Sequence, residues 1–316
     1  MSTIPSWSDI KIAHSRIKKY ITETPTITSS TIDDITGATL FFKCENFQKT
    51  GSFKMRGASN AIFSLPPEKR LNGFATHSSG NHAQAVAYAC KTAGVKAYIV
   101  MPHNAPKVKI DAVRNYDGEI HFCEPNEAAR LKTCQDIIAR TGAVFIPPFD
   151  DAAVITGQAT ASKELLESIP DLDFILAPVG GGGLASGTAL TVKYISPTTQ
   201  VILGEPEIVN DTYLSLKAGK IIPVTNTNTI ADGLKTTIGK LNYEIISANV
   251  KEVIPVSEEE IIAAMRMIWE RMKIIIEPSC AVPFAAVLRR KELFLGKKVG
   301  IILTGGNVDL GNLPFS

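Results

Sequence analysis

Four consecutive glycines form the most distinctive chemical pattern in the chain. Gly180, Gly181, Gly182 and Gly183 follow the apolar run 174–179 and precede an amphipathic stretch at 184–195. Glycines let the backbone turn sharply and leave N–H groups uncovered by side chains. At the start of a helix such N–H groups attract an anion, so the pattern predicts a phosphate site. A turn without a ligand would need only one or two glycines, and no P-loop lysine follows.

The same loop also fits a looser dinucleotide-binding pattern. Gly180, Gly182 and Ala185 match the spacing G-x-G-x-x-A, and Glu205 lies near the position where an acid would meet a ribose. On these residues alone, a nicotinamide cofactor is an open alternative.

A lysine among apolar residues is the second candidate. Lys54 lies between Phe53 and Met55 at the start of a predicted helix over 54–65. Apolar surroundings and a helix N-terminus both favour the neutral amine. A neutral amine can form a Schiff base with a carbonyl cofactor. Taken alone, however, such a lysine is more often an ordinary surface residue.

Two further clusters carry small polar residues. The first includes Ser78, Ser79, Gly80 and Asn81, just before a predicted helix over 81–92, and could bind a carboxylate or merely cap the helix. The second begins at Thr304, at the end of the apolar run 299–304. Ligands of open α/β sheets bind beyond the carboxyl ends of strands, so one crevice could collect these clusters.

The elements that must position these residues alternate between two types. Short apolar runs alternate with amphipathic stretches over most of the 316 residues, which predicts parallel sheets covered by helices. At about 150 residues per domain, the length predicts two domains. Proline pairs at 66–67 and 147–148 suggest a small domain of residues 68–147 inserted into a large one of residues 1–67 and 148–316.

Composition excludes several classes of protein. Lys+Arg is 33 and Asp+Glu is 31, so the basic excess of a nucleic-acid binder is missing. No run approaches the ~18 apolar residues of a membrane span, and the first ten residues do not resemble a secretory signal. Five cysteines without a CxxC pair favour reduced thiols. We therefore expect a cytoplasmic protein that binds neither nucleic acid nor a membrane.

In combination the four clusters resemble a known family. Their order along the chain, within residues 24–309, resembles the serine racemase and serine/threonine dehydratase family of fold-type II pyridoxal-phosphate (PLP) enzymes. The resemblance implies the fold of the tryptophan synthase beta-like group, an α/β fold of two domains with parallel-rich twisted sheets covered by helices. It also favours PLP over a nicotinamide cofactor.

The resemblance implies a role for each cluster. Lys54 would hold PLP as a Schiff base, with Phe53 against the ring and Asn81 at its 3-oxygen. The phosphate would lie at the four glycines, and Gly233 and Thr304 would also lie at the cofactor. The substrate carboxylate would lie in the segment made of Ser78, Ser79, Gly80, Asn81 and His82.

One hydroxyl favours racemisation over simple dehydration. Both reactions begin when Lys54 removes the α-proton, but racemisation needs a second proton carrier on the opposite face. By resemblance that carrier is Ser79, where many dehydratases have alanine. We therefore expect a serine racemase with side β-elimination to pyruvate and ammonia. The elimination is favoured by Thr304, whose hydroxyl does not keep the ring nitrogen protonated as a carboxylate would.

Alternatives to this activity remain. A threonine/serine dehydratase is the first, and Arg130 raises a second, because it resembles an arginine near the racemase substrate and could meet the second carboxylate of 3-hydroxyaspartate. A non-catalytic binding module is an alternative of another class.

The resemblance also implies a divalent cation and partners. Glu205 and Asp211 would supply side-chain oxygens and Val209 a backbone carbonyl, a set suited to Mg²⁺ or Ca²⁺. The same segment could instead be a solvated acidic turn. A small amino-acid substrate, a homodimer and ATP as an activator are implied by the resemblance alone.

Overall fold

The computed structural model describes residues 3–315, which form two sheets covered by helices. The α-helices in this range are α1 Trp7–Ile17, α2 Ser30–Thr36, α3 Lys54–Phe63, α4 Asn81–Ala93, α5 Lys107–Asn115, α6 Glu127–Thr141, α7 Ala152–Ser168, α8 Gly183–Ile195, α9 Asp211–Ala218, α10 Lys240–Asn249, α11 Glu258–Met272, α12 Pro278–Arg289 and α13 Lys291–Phe294. The strands in the same range are β1 Thr26–Ile27, β2 Thr39–Cys44, β3 Phe74–His77, β4 Ala97–Pro102, β5 Glu119–Cys123, β6 Val144–Phe145, β7 Phe174–Pro178, β8 Gln200–Pro206, β9 Glu252–Val256 and β10 Lys298–Leu303.

The larger sheet has six strands in the order β1-β2-β10-β7-β8-β9. All neighbours in it are parallel except β1 and β2. Its central strands are largely apolar, and every residue of β7 is buried. Helices on both faces bury such strands, as is typical of parallel sheets.

The smaller sheet is parallel throughout, in the order β5-β4-β3-β6. Its strands lie within residues 74–145, inside the range predicted for the small domain. One apolar core, however, joins Met55 and Ile62 of α3 to Phe74 of β3 and Val86 of α4. Helix α3 therefore packs against the smaller sheet's elements, and the domain division stays a prediction.

A buried ion network fixes α3. The Arg56 guanidinium is fully buried and pairs with Glu45 and Glu164, each at 2.7 Å. Lys43 pairs with Glu164 at the same distance. Because β2, α3 and α7 each contribute to or adjoin this network, it fixes the helix that begins at Lys54.

The predicted α/β fold with parallel-rich sheets is confirmed. The predicted helices over 54–65 and 81–92 correspond to α3 and α4, with their ends within two residues of the predicted ones. The sequence interpretation missed the long helices α7 and α12. Both are buried on most sides, and α7 buries polar residues such as Gln158 and Glu164 along with apolar ones, so neither shows the pattern by which an amphipathic helix is recognised.

Among the helices formed by residues 3–315, none has the length and apolar character that crossing a bilayer requires. All five cysteines are free and buried.

Candidate active site

Backbone pairing brings the Lys54 segment against the end of β10. Ser52 and Gly305 form an isolated antiparallel bridge, and the N–H of Phe53 donates to Thr304 O at 3.0 Å. The N–H of Gly306 donates to Gly51 O at 2.9 Å. Two clusters about 250 residues apart in sequence therefore meet at the carboxyl end of the larger sheet, as in other open α/β sheets.

The Lys54 amine makes a partly buried polar contact. Its Nζ donates to Pro148 O at 2.7 Å and lies 5.1 Å from the centre of the Phe53 ring. Burial lowers the pKa of Lys54 to about 8, although the charge of Glu277 acts in the opposite direction. A substantial share of the amine is therefore neutral and nucleophilic near neutral pH.

Asn81 belongs to a hydrogen-bond network that the sequence did not suggest. Its Nδ2 donates to Glu277 Oε1 at 2.8 Å, and its Oδ1 accepts from Asn307 Nδ2 at 2.9 Å. Burial, with the charge of Asp232 next, raises the pKa of Glu277 to about 8. Glu277 is only a glutamate before a proline in sequence, so no local pattern identifies it.

The segment 78–80, which precedes α4, carries polar groups that a substrate could contact. Ser78 Oγ accepts from the N–H of Gly80 at 3.2 Å. The Ser79 side chain is half-buried, and among residues 3–315 its hydroxyl has no hydrogen-bond partner. His82 Nε2 contacts Ile146 O at 3.2 Å, and burial lowers the pKa of His82 to about 3. The His82 ring is therefore neutral and would offer a substrate carboxylate no positive charge.

The glycine loop has unsatisfied donors. Within the described chain, none of the N–H groups of Gly180, Gly181, Gly182 and Gly183 donates to a protein acceptor. A Cβ on Gly180 would lie 2.8 Å from the backbone of Leu234, and one on Gly181 would lie 2.2 Å from the Phe149 ring. The loop is therefore closely packed on one side and offers free N–H groups at the N-terminus of α8, which suits an anion.

Gly233 and Thr304 lie beside this site. The N–H of Gly233 donates to Ser279 Oγ at 3.0 Å, at the start of α12. Thr304 Oγ1 is buried and has no nitrogen or oxygen partner in the structure's described part. Its hydrogen bond to the Cys280 thiol is a weak one, so the hydroxyl can still bond to a ligand.

Arg130 lies near the substrate segment rather than within it. It belongs to the first turns of α6, and its charge contributes, after burial, to the lowered pKa of His77, the residue before Ser78. Its Nε is buried without a partner in residues 3–315.

An ion pair that the sequence did not suggest crosses between the two sheets' elements. Lys109 of α5 pairs with Asp232 of the short 3-10 turn Asp232–Leu234. It lies close enough to the site for both charges to influence the pKa of Glu277.

Two residues of the predicted cation site, Glu205 and Asp211, lie close enough for the charge of Asp211 to act on the pKa of Glu205. Glu205 accepts from the N–H groups of Thr212 and Tyr213 at 3.0 and 2.9 Å, so it is not oriented toward a ribose as a nicotinamide cofactor would require. Burial raises the pKa of Glu205 to about 8 and that of Asp211 to about 6. No group of three or more His, Cys, Asp or Glu side chains is placed to hold a metal ion among the described residues. A cation here would depend on the two carboxylates and on the Val209 carbonyl.

Comparison with known proteins identifies the family. Residues 17–305 match the model of the family described as "Pyridoxal-phosphate dependent enzyme". The chain belongs to the pyridoxal-phosphate dependent enzymes. It is 51% identical to the serine racemase of Dictyostelium discoideum, over 99% of this chain and 98% of that one. It is 47% identical to the beta-hydroxyaspartate dehydratase of Paracoccus denitrificans, over 99% of each.

Solved structures of such PLP enzymes share the fold. The crystal structure of the Dictyostelium discoideum serine racemase matches with a TM-score of 0.93, covering 98% of this chain and 100% of that one. The family confirms the expected resemblance, the fold class and PLP as the cofactor, and the chain is a racemase or an ammonia-lyase.

The residues of the site fit PLP. Free N–H groups at Gly180 to Gly183 suit its phosphate, and the Lys54 amine, with its lowered pKa, suits its aldehyde. The buried Thr304 hydroxyl, which has no nitrogen or oxygen partner among residues 3–315, suits its ring nitrogen. Asn81 and Gly233 lie at the same end of the sheet.

Proposed function

We propose that this PLP enzyme interconverts L- and D-serine and, as a side reaction, eliminates water from serine to give pyruvate and ammonia. The observation that carries the proposal is the half-buried Ser79 hydroxyl, which has no partner among residues 3–315. The 51% identity to a serine racemase supports the same choice.

Some residues of the site bind the substrate or the cofactor, and others transfer protons. When bound, PLP withdraws electrons from the substrate α-carbon and so acidifies its proton. Lys54 Nζ takes that proton from one face, and Ser79 Oγ serves the other. The free N–H groups at the start of α4 bind the substrate carboxylate together with Ser78. Phe53, which the Lys54 amine contacts, would border the ring.

Dehydration of 3-hydroxyaspartate is the second candidate. The buried Arg130 Nε without a partner would suit the second carboxylate of that substrate. The relative from Paracoccus denitrificans bears the name of this activity at 47% identity. A threonine/serine dehydratase without racemisation is a further alternative.

We also propose Mg²⁺ or Ca²⁺ at Glu205, Asp211 and the Val209 carbonyl. Two buried carboxyls with raised pKa values lack a cationic partner, and Asp211 Oδ1 has no hydrogen-bond partner in the described range. Hard oxygen ligands of this kind suit either cation. The homodimer, activation by ATP and the cytoplasmic location remain predictions.

Chiral analysis of the products from L-serine tests the main proposal. Ser79→Ala should lower D-serine formation by about 10²-fold or more, as for loss of a general acid–base group. Elimination of L-serine should persist, because it needs only the Lys54 face. Ser78→Ala is the matched control, and it should weaken both reactions by a similar factor.

The parent protein decides between the candidates. If it forms no D-serine but releases ammonia from 3-hydroxyaspartate or threonine, it is a dehydratase. If Ser79→Ala forms D-serine as fast as the parent, Ser79 is not the second proton carrier.

A further inference from the structure

We propose that Asn242 positions the glycine loop so that its N–H groups point at the cofactor's phosphate. This inference rests on the proposed role of the loop as the phosphate site. Asn242 is a positioning residue, because its own contacts are with the protein backbone. It lies on α10, outside all four sequence clusters.

Two donors fix one carbonyl of the loop. Asn242 Nδ2 donates to Gly181 O at 2.8 Å, and the N–H of Gly239 donates to the same oxygen at 3.1 Å. The Asn242 side chain is fully buried, so water does not compete for these bonds. The Gly181 carbonyl is therefore held toward α10.

The orientation of this carbonyl sets the direction of the next N–H. In a planar trans peptide the C=O of one residue and the N–H of the following residue point in opposite directions. Holding Gly181 O toward α10 thus turns the N–H of Gly182 away from it. That N–H and its three glycine neighbours are the donors that lack a protein acceptor in the described chain.

The loop needs such an external constraint. Gly182 has a φ of +94°, in the left-handed region, and glycine populates both signs of φ about equally. Four glycines in a row therefore have little preference of their own for one peptide orientation. If the peptide between Gly181 and Gly182 turned over, a carbonyl would replace an N–H at the anion site and repel the phosphate.

Asn242 is itself held by the loop that contacts the Lys54 amine. Asp150 accepts from the N–H groups of Lys240 and Leu241, each at 3.1 Å, and so caps α10. Asn242 Nδ2 also approaches Phe149 O at 3.3 Å. The adjacent Pro148 O accepts from Lys54 Nζ. Asn242 thus contacts both the glycine loop, at Gly181, and Phe149, the residue next to the carbonyl that binds Lys54.

Comparison of PLP with pyridoxal tests the inference, because pyridoxal lacks only the phosphate. The dissociation constant of each is measured by absorbance titration of the cofactor-free protein. Asn242→Ala should weaken PLP binding about tenfold or more, as expected for the loss of a buried hydrogen bond, and should change pyridoxal binding less than about twofold. Asn242→Leu, similar in size but without a donor or a charge, should act in the same direction.

Asn249→Ala is the matched control, since Asn249 lies on the same helix and its Nδ2 donates to Ile245 O at 2.7 Å. It should leave the PLP-to-pyridoxal ratio unchanged. Circular dichroism verifies that each variant folds, and Asn242→Leu carries the test if Asn242→Ala does not fold.

Two results would count against different roles, that of the glycine loop and that of Asn242. If the parent binds PLP no tighter than pyridoxal, the glycine loop is not the phosphate site and the proposed role fails. If the parent discriminates but the folded Asn242 variants discriminate equally well, or lose both ligands equally, Asn242 does not position the loop.

Discussion

The Lys54 amine should capture PLP with a pH dependence centred near 8. Burial lowers the pKa of Lys54 to about 8 from its ordinary value of 10.5. At pH 7.5 about a quarter of the amine would then be neutral, against about a thousandth for an ordinary lysine, a ratio of roughly 200. The neutral fraction rises with pH and saturates above the pKa, so capture should level off near pH 9.

The assay mixes cofactor-free protein with PLP at several pH values, reduces with borohydride and quantifies the adduct on the Lys54 peptide. The reference is lysine acetylated on its α-nitrogen, so that only the side-chain amine reacts. Its rate of adduct formation with PLP should still rise beyond pH 10. Glu277→Gln should move the protein's midpoint to lower pH, because the charge of Glu277 favours the protonated amine. A profile parallel to that of the reference would refute the argument from burial, and an adduct on another lysine would refute the site.

Three further predictions concern the cation, the substrate and the core. Chelation of divalent cations should lower the Tm of the parent but not that of Glu205→Gln, because a cation bound only to the native state stabilises that state. A parent whose Tm does not change on chelation would exclude the cation. Arg130→Leu should lower the rate of ammonia release from 3-hydroxyaspartate about tenfold or more, as for the loss of a charged hydrogen bond, and change the rate with serine by less than about twofold. Equal losses with both substrates would show that Arg130 does not select the substrate. Arg56→Met should lower the free energy of unfolding by ~3–5 kcal/mol in urea titrations, because Glu45 and Glu164 lose their buried cation; a change below ~1 kcal/mol would contradict this.

The sequence by itself determined the fold class and the main binding segments. Each such segment depends on local chemistry: Gly180 to Gly183 on backbone freedom, Lys54 on its apolar neighbours, and Asn81 on its place at a helix start. Periodicity over a few residues was enough to place the strands before these segments and the helices after them. The order of the clusters then identified the PLP family, which the comparisons confirm.

Only the tertiary structure decided which groups surround these segments. Pro148 contacts Lys54 through a backbone carbonyl, which no side-chain pattern can predict. Glu277 contacts Asn81, 196 residues away in sequence, and Asn242 contacts Gly181, 61 residues away. Glutamate and asparagine are common surface residues, so nothing in the sequence marks these two. Their effects depend on burial, since the same groups in water would have ordinary pKa values and weak hydrogen bonds. Burial is a property of the packed chain, so the protonation of Lys54 and the orientation of the glycine loop are determined by long-range packing.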